Sequence, residues 1–339
     1  MKACVYTESR DLQVLQVQTP GIAPGELLMR VAACGVCGTD VQKIQFSTAT
    51  PPLVLGHEVS GWVEQVGQGV HGFSKGDRIV VAHHTPCYAC HYCKHGNVSM
   101  CKTFKQSNLD PGGYAEFLRI PAVHVQMTTH KIPDHVSFQE AIYMEPLACV
   151  LRNIKRAQLI HDDVVLVIGL GSVGLLTSMA LKALGMRVIG ADLKSERRTL
   201  AQSVGIDEVV DGDADQIHRA VFSMTGGRGV DLAVLTAGNE DVYANVISHV
   251  RDGGKINLFA GLSPQAMLKY NVNEVFKREL TIYSSYSPSP IELLEAMDMI
   301  SRKQVLVSVI GNQTYGLDQI PAAIEDVISQ KVMKAIIQP

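Results

Sequence analysis

One glycine pattern restricts the fold more than any other feature of the chain. The stretch VVLVIGLGSVG, residues 164–174, places three glycines in G-x-G-x-x-G order between a strand-like run and a helix-like run. The first glycine permits a tight turn, the second lets the backbone approach a pyrophosphate, and the third lets the helix pack closely on the strand. The helix N-terminus then faces the phosphates. We therefore predict a dinucleotide-binding turn formed by Gly169, Gly171, Ser172, Val173 and Gly174.

An acidic residue about twenty positions further on strengthens this prediction. RVIGAD ends in Asp192, where a carboxylate can accept hydrogen bonds from the adenosine ribose hydroxyls. A carboxylate there also repels a 2′-phosphate, so NAD is favoured over NADP. Lys194, Arg197 and Arg198 follow closely, and an arginine at this place can accommodate a 2′-phosphate. Asp192 and Arg197 are therefore candidate cofactor-binding residues.

The chain of 339 residues is long enough for two domains. The first part, to about residue 145, is rich in β-formers, glycine and proline, which predicts a mostly β domain. From Val164 strand-like runs alternate with helical runs, which predicts an α/β fold with a doubly wound parallel sheet. After Ser284 we expect helices and short strands that return to the first domain. The predicted segments are 1–147, 148–285 and 286–339.

Charge and apolar patterning exclude several classes of protein. Lys and Arg total 30 against 33 for Asp and Glu, a net charge of -3, and the charges are scattered. This argues against a nucleic-acid surface. The N-terminus MKACVYTESRD lacks the apolar region of a signal peptide. The longest apolar run, residues 164–181, contains glycines that would interrupt a membrane helix. We expect a soluble, cytoplasmic protein with neither a nucleic-acid nor a membrane partner.

Four of the eight cysteines follow the spacing C-x2-C-x2-C-x7-C. Such short gaps are typical of metal ligands rather than of a disulfide framework. Zinc is the expected ion, and four thiolates leave it no open position, so this site would hold a lobe together without doing chemistry. A nucleic-acid-binding finger would need a paired helix and a basic face, and neither is visible. We expect His91 and His95 to be exposed loop residues. The candidate ligands are Cys87, Cys90, Cys93 and Cys101.

A sparser set of metal-binding residue types lies outside that segment. Cys37 stands in CGVCGTD, PLVLGHEVSG supplies His57 and Glu58, and YMEPLAC adds Glu145. A thiolate, an imidazole and carboxylates form a mixed site of the kind that keeps a position open for water or substrate. Since Glu145 just precedes the nucleotide domain, we expect the metal to lie in the cleft between the domains, beside the nicotinamide.

The motifs GVCGTD, GHEVSG, the four-cysteine segment, DPGGYAEF, EPLACV and GLGSVG occur in the order found in zinc-containing medium-chain dehydrogenases. The chain most resembles the sorbitol (polyol) and threonine dehydrogenase branch of that family, and the resemblance covers essentially its whole length. It implies a GroES-like catalytic domain, built from both ends of the chain around a central Rossmann domain. It also implies assembly as a homodimer or homotetramer.

The resemblance assigns roles to the mixed site. Cys37, His57 and Glu58 correspond to catalytic zinc ligands, whereas Glu145 corresponds to a glutamate that binds the metal directly or through its water. Thr39 matches a hydroxyl residue that contacts the substrate oxygen. Asp40, not a ligand itself, matches the carboxylate that orients the metal-binding histidine.

One position departs from the family pattern. Many relatives have a proton-relay histidine three residues beyond Thr39, where this chain has Gln42. Proton release must therefore use water, the nicotinamide ribose or another group such as Glu58 or Glu145. His84 aligns with a substrate-pocket histidine of threonine dehydrogenases, although a polar residue at a strand end is an equal alternative. His83 is not assigned.

The resemblance implies a zinc-dependent oxidoreductase that transfers a hydride from a secondary alcohol to NAD+, giving a ketone. Two zinc ions per chain are implied, one catalytic and one structural. The expected substrate is a polyol or sugar-derived alcohol, with L-threonine or another amino alcohol as the alternative. A non-catalytic zinc-stabilised binding protein and a zinc-free quinone reductase are disfavoured, because each would be expected to lack Cys37, His57 or Asp192.

Overall fold

The computed structural model describes residues 1–260, 262 and 265–339, and these form two units. The first unit comprises Met1–Ala148, Ser289–Arg302 and Ile310–Pro339. The second comprises Cys149–Pro288 and Lys303–Val309. Both ends of the chain therefore belong to the first unit.

Strands dominate the first unit. In the described residues they form a sheet in the order β2-β1-β4 and a larger sheet in the order β15-β16-β3-β5-β6-β8, with β7 also paired to β3. The strands are β1 (Lys2–Tyr6), β2 (Leu12–Gln16), β3 (Leu27–Gly35), β4 (Leu53–Val54), β5 (Glu58–Val66), β6 (Arg78–Val81), β7 (Phe117–Ile120), β8 (Thr129–Lys131), β15 (Asn312–Tyr315) and β16 (Lys334–Ile337).

The central strand of the larger sheet is β3, and its sequence LLMRVAACG explains why. Most of its side chains are buried, and the strand packs into a core that includes Leu118, Ile79 and Ile337. It pairs antiparallel with β5 along its whole length, with Gly35 opposite Glu58. At the same end β16 pairs with it, so that Ile336 also lies opposite Gly35. The ends of three strands therefore meet around Gly35.

The second unit is built on a parallel sheet. In the described chain its order is β11-β10-β9-β12-β13-β14, and every neighbouring pair is parallel. All five residues of β9, VVLVI, are buried, as expected for a strand covered by helices on both faces. These strands are β9 (Val164–Ile168), β10 (Arg187–Asp192), β11 (Glu208–Asp211), β12 (Val230–Leu235), β13 (Val250–Leu258) and β14 (Thr281–Ser284).

Helices connect these strands, and α6 carries the chain from the first unit into the second. The helices are α1 (Gly38–Gln45), α2 (His91–Lys94), α3 (Lys102–Gln106), α4 (Ala122–Met127), α5 (Phe138–Ala141), α6 (Met144–Ala157), α7 (Ser172–Ala183), α8 (Ser195–Ser203), α9 (Ala214–Thr225), α10 (Glu240–Asn245), α11 (Val272–Lys277), α12 (Pro290–Ser301) and α13 (Ile320–Ile328). Both fold predictions, a mostly β part and a doubly wound parallel sheet, are confirmed.

The longest apolar run, residues 164–181, is divided between β9 and α7. Within the described residues, no helix combines the length and the apolar character needed to span a bilayer.

The turn between β9 and α7 shows why glycines are needed there. Gly169 has φ +93, a conformation that other residues rarely adopt. A Cβ at Gly174 would overlap the carbonyl oxygen of Gly169 and lie 3.0 Å from Thr236 Oγ1. At Gly171, by contrast, the nearest atom to an added Cβ would be Arg197 Nη1 at 3.9 Å. Gly174 therefore permits helix–strand packing, whereas Gly171 leaves open space above the turn.

This difference gives a testable expectation about stability. Gly174→Ala should destabilise the protein by about 1–3 kcal/mol, because the backbone of the turn must move to admit the methyl group. Gly171→Ala should change stability by less than about 0.5 kcal/mol, as expected for a site with room. Thermal unfolding followed by circular dichroism would measure both, and equal midpoints for the two variants would contradict this account of the turn.

Candidate metal and nucleotide sites

The pairing of β3 with β5 creates the first candidate metal site. Cys37 lies two residues beyond the end of β3 and directly precedes α1, while His57 and Glu58 lie at the start of β5. One potential ligand atom from each of the three side chains lies within 4.8 Å of the others. His57 and Glu58 are buried, with 8% and 1% of their surfaces exposed. The structure thus brings together three of the four residues predicted for the catalytic metal.

Glu145 is placed differently from the other three. It lies in the first turn of α6 and is buried, with 6% of its surface exposed. Among the described residues, the cluster of mutually close ligand atoms consists of Cys37, His57 and Glu58, without Glu145.

Asp40 contacts the imidazole ring of His57. Its Oδ1 lies 3.3 Å from His57 Nδ1, and its Oδ2 accepts a hydrogen bond from the hydroxyl of Tyr114 at 3.1 Å. Burial raises the pKa of Asp40, but the charge of His57 and its hydrogen bond lower it more, so the net shift is downward. Burial lowers the pKa of His57, but the charges of Asp40 and Cys37 raise it well above its usual value. Because Nδ1 faces Asp40, Nε2 is the ring nitrogen left for a metal.

Thr39 and Gln42 lie on α1, the helix that begins directly after Cys37. Thr39 is exposed, and its hydroxyl donates a hydrogen bond to Cys37 Sγ at 3.2 Å. Gln42, at the position where many relatives have a histidine, is also exposed. A hydroxyl beside the thiolate ligand is well placed to meet a molecule that approaches from solvent.

Two histidines that follow β6 extend the site. The ring of His83 lies 4.5 Å from that of His57 and 3.9 Å from that of His84, measured between centroids. Burial lowers the pKa of His83 well below its usual value and that of His84 to about 4. His84 Nδ1 lies 2.6 Å from the Ser107 carbonyl oxygen, which fixes that nitrogen as the donor. His83 is not among the predicted site residues, and no motif marks it.

Lys334 is a second residue of this site that is not among the predicted site residues. Its Nζ forms an ion pair with Glu58 Oε2, and only 5% of the lysine is exposed. Burial lowers the pKa of Lys334, but the charges of Glu58 and Cys37 raise it further, so the lysine stays charged. The signal in the sequence is a lysine at the head of an apolar strand, KAII, where a buried cation needs a partner.

The four-cysteine segment forms a separate cluster. Each of its sulfur atoms lies within 4.8 Å of the other three. Backbone N–H groups of Cys87 and Phe104 lower the pKa of Cys101 to about 6 against the opposing effect of burial, whereas burial raises that of Cys93 to about 12. Four convergent thiols are the donor set that zinc prefers in a closed tetrahedral site. The cluster consists of Cys87, Cys90, Cys93 and Cys101.

Among the described residues, the sulfur cluster does not include the two histidines of this segment. His91 and His95 are exposed, as predicted, and their rings lie 4.1 Å apart. The predicted loop is wrong for His91, which begins α2, because the chain between Cys90 and His95 closes a helical turn.

The predicted nucleotide turn lies at the carboxyl end of β9, where the strand order of the sheet reverses. This is the place at which doubly wound sheets bind ligands. Gly171 precedes α7 as its N-cap and makes no side-chain cap, so the backbone N–H groups of Ser172 and Val173 lie at an open helix N-terminus. The open space above Gly171, which a Cβ would begin to fill, lets a pyrophosphate approach the backbone.

Asp192, the last residue of β10, lies beside this turn. Its carboxylate accepts hydrogen bonds from the backbone N–H groups of Leu170 and Lys194, at 2.7 and 2.8 Å. Arg197 Nη1 lies 3.4 Å from the same carboxylate, whereas Arg198 forms an ion pair with Asp211 at 2.8 Å. Arg197 is therefore the arginine that the structure brings to the nucleotide turn.

Comparison with known proteins identifies the family. Residues 23–134 match the family model described as "Alcohol dehydrogenase GroES-like domain", and residues 172–302 match "Zinc-binding dehydrogenase". Sorbitol dehydrogenase of Bacillus subtilis (strain 168) is 28% identical over 100% of this chain and 97% of its own. L-threonine 3-dehydrogenase of Pyrococcus abyssi is 30% identical over 96% of this chain and 94% of its own.

A solved structure extends the comparison to three dimensions. A chain described as a zinc-binding dehydrogenase from Sinorhizobium meliloti 1021, bound to NADP, superposes with a TM-score of 0.89 and 26% identity. The match covers 100% of this chain and 99% of the other. The predicted GroES-like and Rossmann architecture is therefore confirmed, and the chain belongs to the zinc-containing medium-chain alcohol dehydrogenases, in their polyol and threonine dehydrogenase branch.

Proposed function

We propose that this protein oxidises a secondary alcohol to a ketone with NAD+, and that its substrates are polyols or sugar-derived alcohols. The observation that carries the proposal is the buried cluster of Cys37, His57 and Glu58, with Asp40 behind the imidazole. A thiolate, an imidazole and a carboxylate suit a zinc ion that keeps a position open. The similar sorbitol dehydrogenase supports the polyol class.

The roles of the chain's own side chains follow from their positions. A zinc ion bound there would act as a Lewis acid and lower the pKa of a coordinated hydroxyl group. Asp40 fixes the orientation of His57, so that Nε2 is presented to the metal. The hydroxyl of Thr39, beside Cys37 Sγ, contacts the substrate oxygen. Glu145, buried at the start of α6, is retained as a further ligand acting directly or through water.

The proton released from the alcohol must leave without a histidine relay on α1. Gln42 is exposed, and a neutral amide does not carry a proton by changing its charge. Because Glu58 is engaged by Lys334, we propose that water, the nicotinamide ribose or Glu145 provides the route.

For the cofactor, we propose NAD rather than NADP. Asp192 has two oxygens at the nucleotide turn, where ribose hydroxyls would donate to them and a 2′-phosphate would be repelled. Arg197 partly offsets that repulsion, so NADP would bind more weakly rather than not at all. The nicotinamide supplies the hydride acceptor of the reaction.

A second candidate, oxidation of L-threonine or another amino alcohol, is favoured by two observations. The similar protein from Pyrococcus abyssi is an L-threonine 3-dehydrogenase. His84 also lies beside His83, whose ring contacts that of His57, as a substrate-pocket residue would.

We further propose that 1–147 with 286–339 provide the metal sites and that 148–285 bind the nucleotide. Two zinc ions per chain, a homodimer or homotetramer, and a reducing cytoplasmic location complete the proposal, the last because the proposed ligands include five cysteine thiols.

Catalysis can be tested by replacing one ligand. Cys37→Ser should lower turnover by about 100-fold or more, because the loss of a metal ligand removes several kcal/mol of stabilisation from the reacting oxygen. The measurement is NADH absorbance over a panel of polyols, sugar acids and amino alcohols. Cys4→Ala, a buried cysteine outside both clusters, serves as the control and should keep turnover close to that of the parent. Best activity on L-threonine would select the second candidate, and turnover unaffected by Cys37→Ser would refute the metal mechanism.

Metal analysis tests the proposed second ion. Cys93→Ser should reduce the zinc content from about two ions to about one per chain and lower the thermal midpoint, since four thiolates close one site. Elemental analysis of the purified protein gives the count. Cys4→Ala should retain both ions, and a Cys93→Ser protein with two firmly bound ions would show that the four-cysteine cluster is not a zinc site.

Cofactor preference can be tested at Asp192. Asp192→Ser should raise the KM for NAD+ by about 10–100-fold, which corresponds to the free energy of hydrogen bonds to a charged group. The difference between the KM values for NAD+ and NADP+ should therefore become smaller. Glu196→Gln removes a neighbouring exposed charge from α8 without touching the turn and is the matched control. An unchanged NAD+ to NADP+ ratio in Asp192→Ser would mean that the carboxylate does not select the cofactor.

A further inference from the structure

The ion pair between Glu58 and Lys334 lies at the edge of the proposed metal site. The exposed fractions are 1% for Glu58 and 5% for Lys334, so both charges have lost nearly all contact with water. Burying two charges is costly unless each has a close partner. Lys334 Nζ contacts one particular oxygen of the carboxylate, Oε2.

The sheet is built to let this pair form. Glu58 begins β5 and Lys334 begins β16, and the end of β3 lies between these two strands. Gly35 is the residue of β3 at this point, and a Cβ there would overlap Glu58 Oε2 and lie 2.8 Å from Lys334 Cε. The ion pair can therefore cross β3 at this point because Gly35 has no side chain.

The pair also controls what the carboxylate can offer to a metal. A carboxylate binds a cation through one oxygen or through both. Cys37, His57 and both oxygens of Glu58 would already make four ligand atoms, the number at which zinc closes its shell. With Oε2 held by Lys334, Glu58 has a single oxygen left for the ion. With Glu145 acting through water rather than directly, the fourth position then stays open.

We propose that Lys334 is a positioning residue that restricts Glu58 to binding through one oxygen and thereby keeps the substrate's coordination position open. This inference rests on the zinc site of the proposed function. It assigns to Lys334 an effect on the coordination of the metal, in addition to the neutralisation of a buried charge.

The test uses the full chain with the four-cysteine site filled with zinc and the Cys37 site filled with Co²⁺. Imidazole serves as the probe of the open position, and the visible Co²⁺ spectrum reports its binding. Lys334→Met should weaken imidazole binding about 10–100-fold, a size of effect usual for changes around a metal ligand, because the freed Oε2 competes for the same position. Lys334→Arg, which retains a cation beside Oε2, should bind imidazole nearly as the parent does.

Metal affinity separates this proposal from a purely structural role. In Lys334→Met, zinc should bind the Cys37 site more tightly in competition with a chelator, because the ion gains an oxygen ligand and loses a neighbouring positive charge. Damage to the fold would instead weaken the binding of both zinc and imidazole. The double variant Glu58→Gln with Lys334→Met leaves no unpaired buried charge, and its amide oxygen binds singly, so imidazole binding should recover.

Lys331→Met is the matched control. This exposed lysine pairs with Asp326 just before β16, and its replacement should leave both affinities unchanged. Parental imidazole affinity in Lys334→Met, or weakened zinc binding there, would overturn the inference while leaving the proposed function intact. A parent protein that binds no ion at the Cys37 site would overturn both.

Discussion

The pairing of β3 with β5 positions the residues of the proposed catalytic site. Its register places Gly35 opposite Glu58, so the chain that leaves β3 reaches Cys37 beside the residues that begin β5. A shift of one residue would turn Glu58 to the other face of the sheet. The distances within the cluster are therefore set by a ladder of backbone hydrogen bonds and by the apolar core beneath it, in which Met29 and Val59 are buried.

The parts that could be predicted from the sequence are those whose chemistry depends on local spacing. Gly169 and Gly174 belong to one turn, where positive φ and close packing exclude other residues, so their order alone indicates the structure. Asp192 follows at the distance that one helix and one strand require. In the four-cysteine segment the sulfur atoms converge because the gaps between them are short. Such features need no knowledge of how distant strands pair.

The parts that could not be predicted depend on contacts between distant segments. Lys334 meets Glu58 only because β16, from the far end of the chain, pairs with β3. His83 reaches His57 because β6 pairs with β5, and a histidine at a strand end carries no motif of its own. Glu145 shows the converse limit: its motif is recognisable, but its side chain lies outside the cluster of Cys37, His57 and Glu58.

The two proposed metal sites differ in the contacts that stabilise them. In the first, Asp40 is paired with His57 and Tyr114, and Glu58 with Lys334, so each buried carboxylate has a partner that belongs to the chain. Removing one partner of such a pair costs about 3–5 kcal/mol, because it leaves a buried charge without a partner. The four-cysteine lobe has little apolar core beyond the cysteines themselves, chiefly Val98 and Phe104. We therefore expect a bound ion to contribute most of its order, since metal binding then supplies free energy of folding. We therefore expect a metal to take part in the reaction at one site and to support the fold at the other.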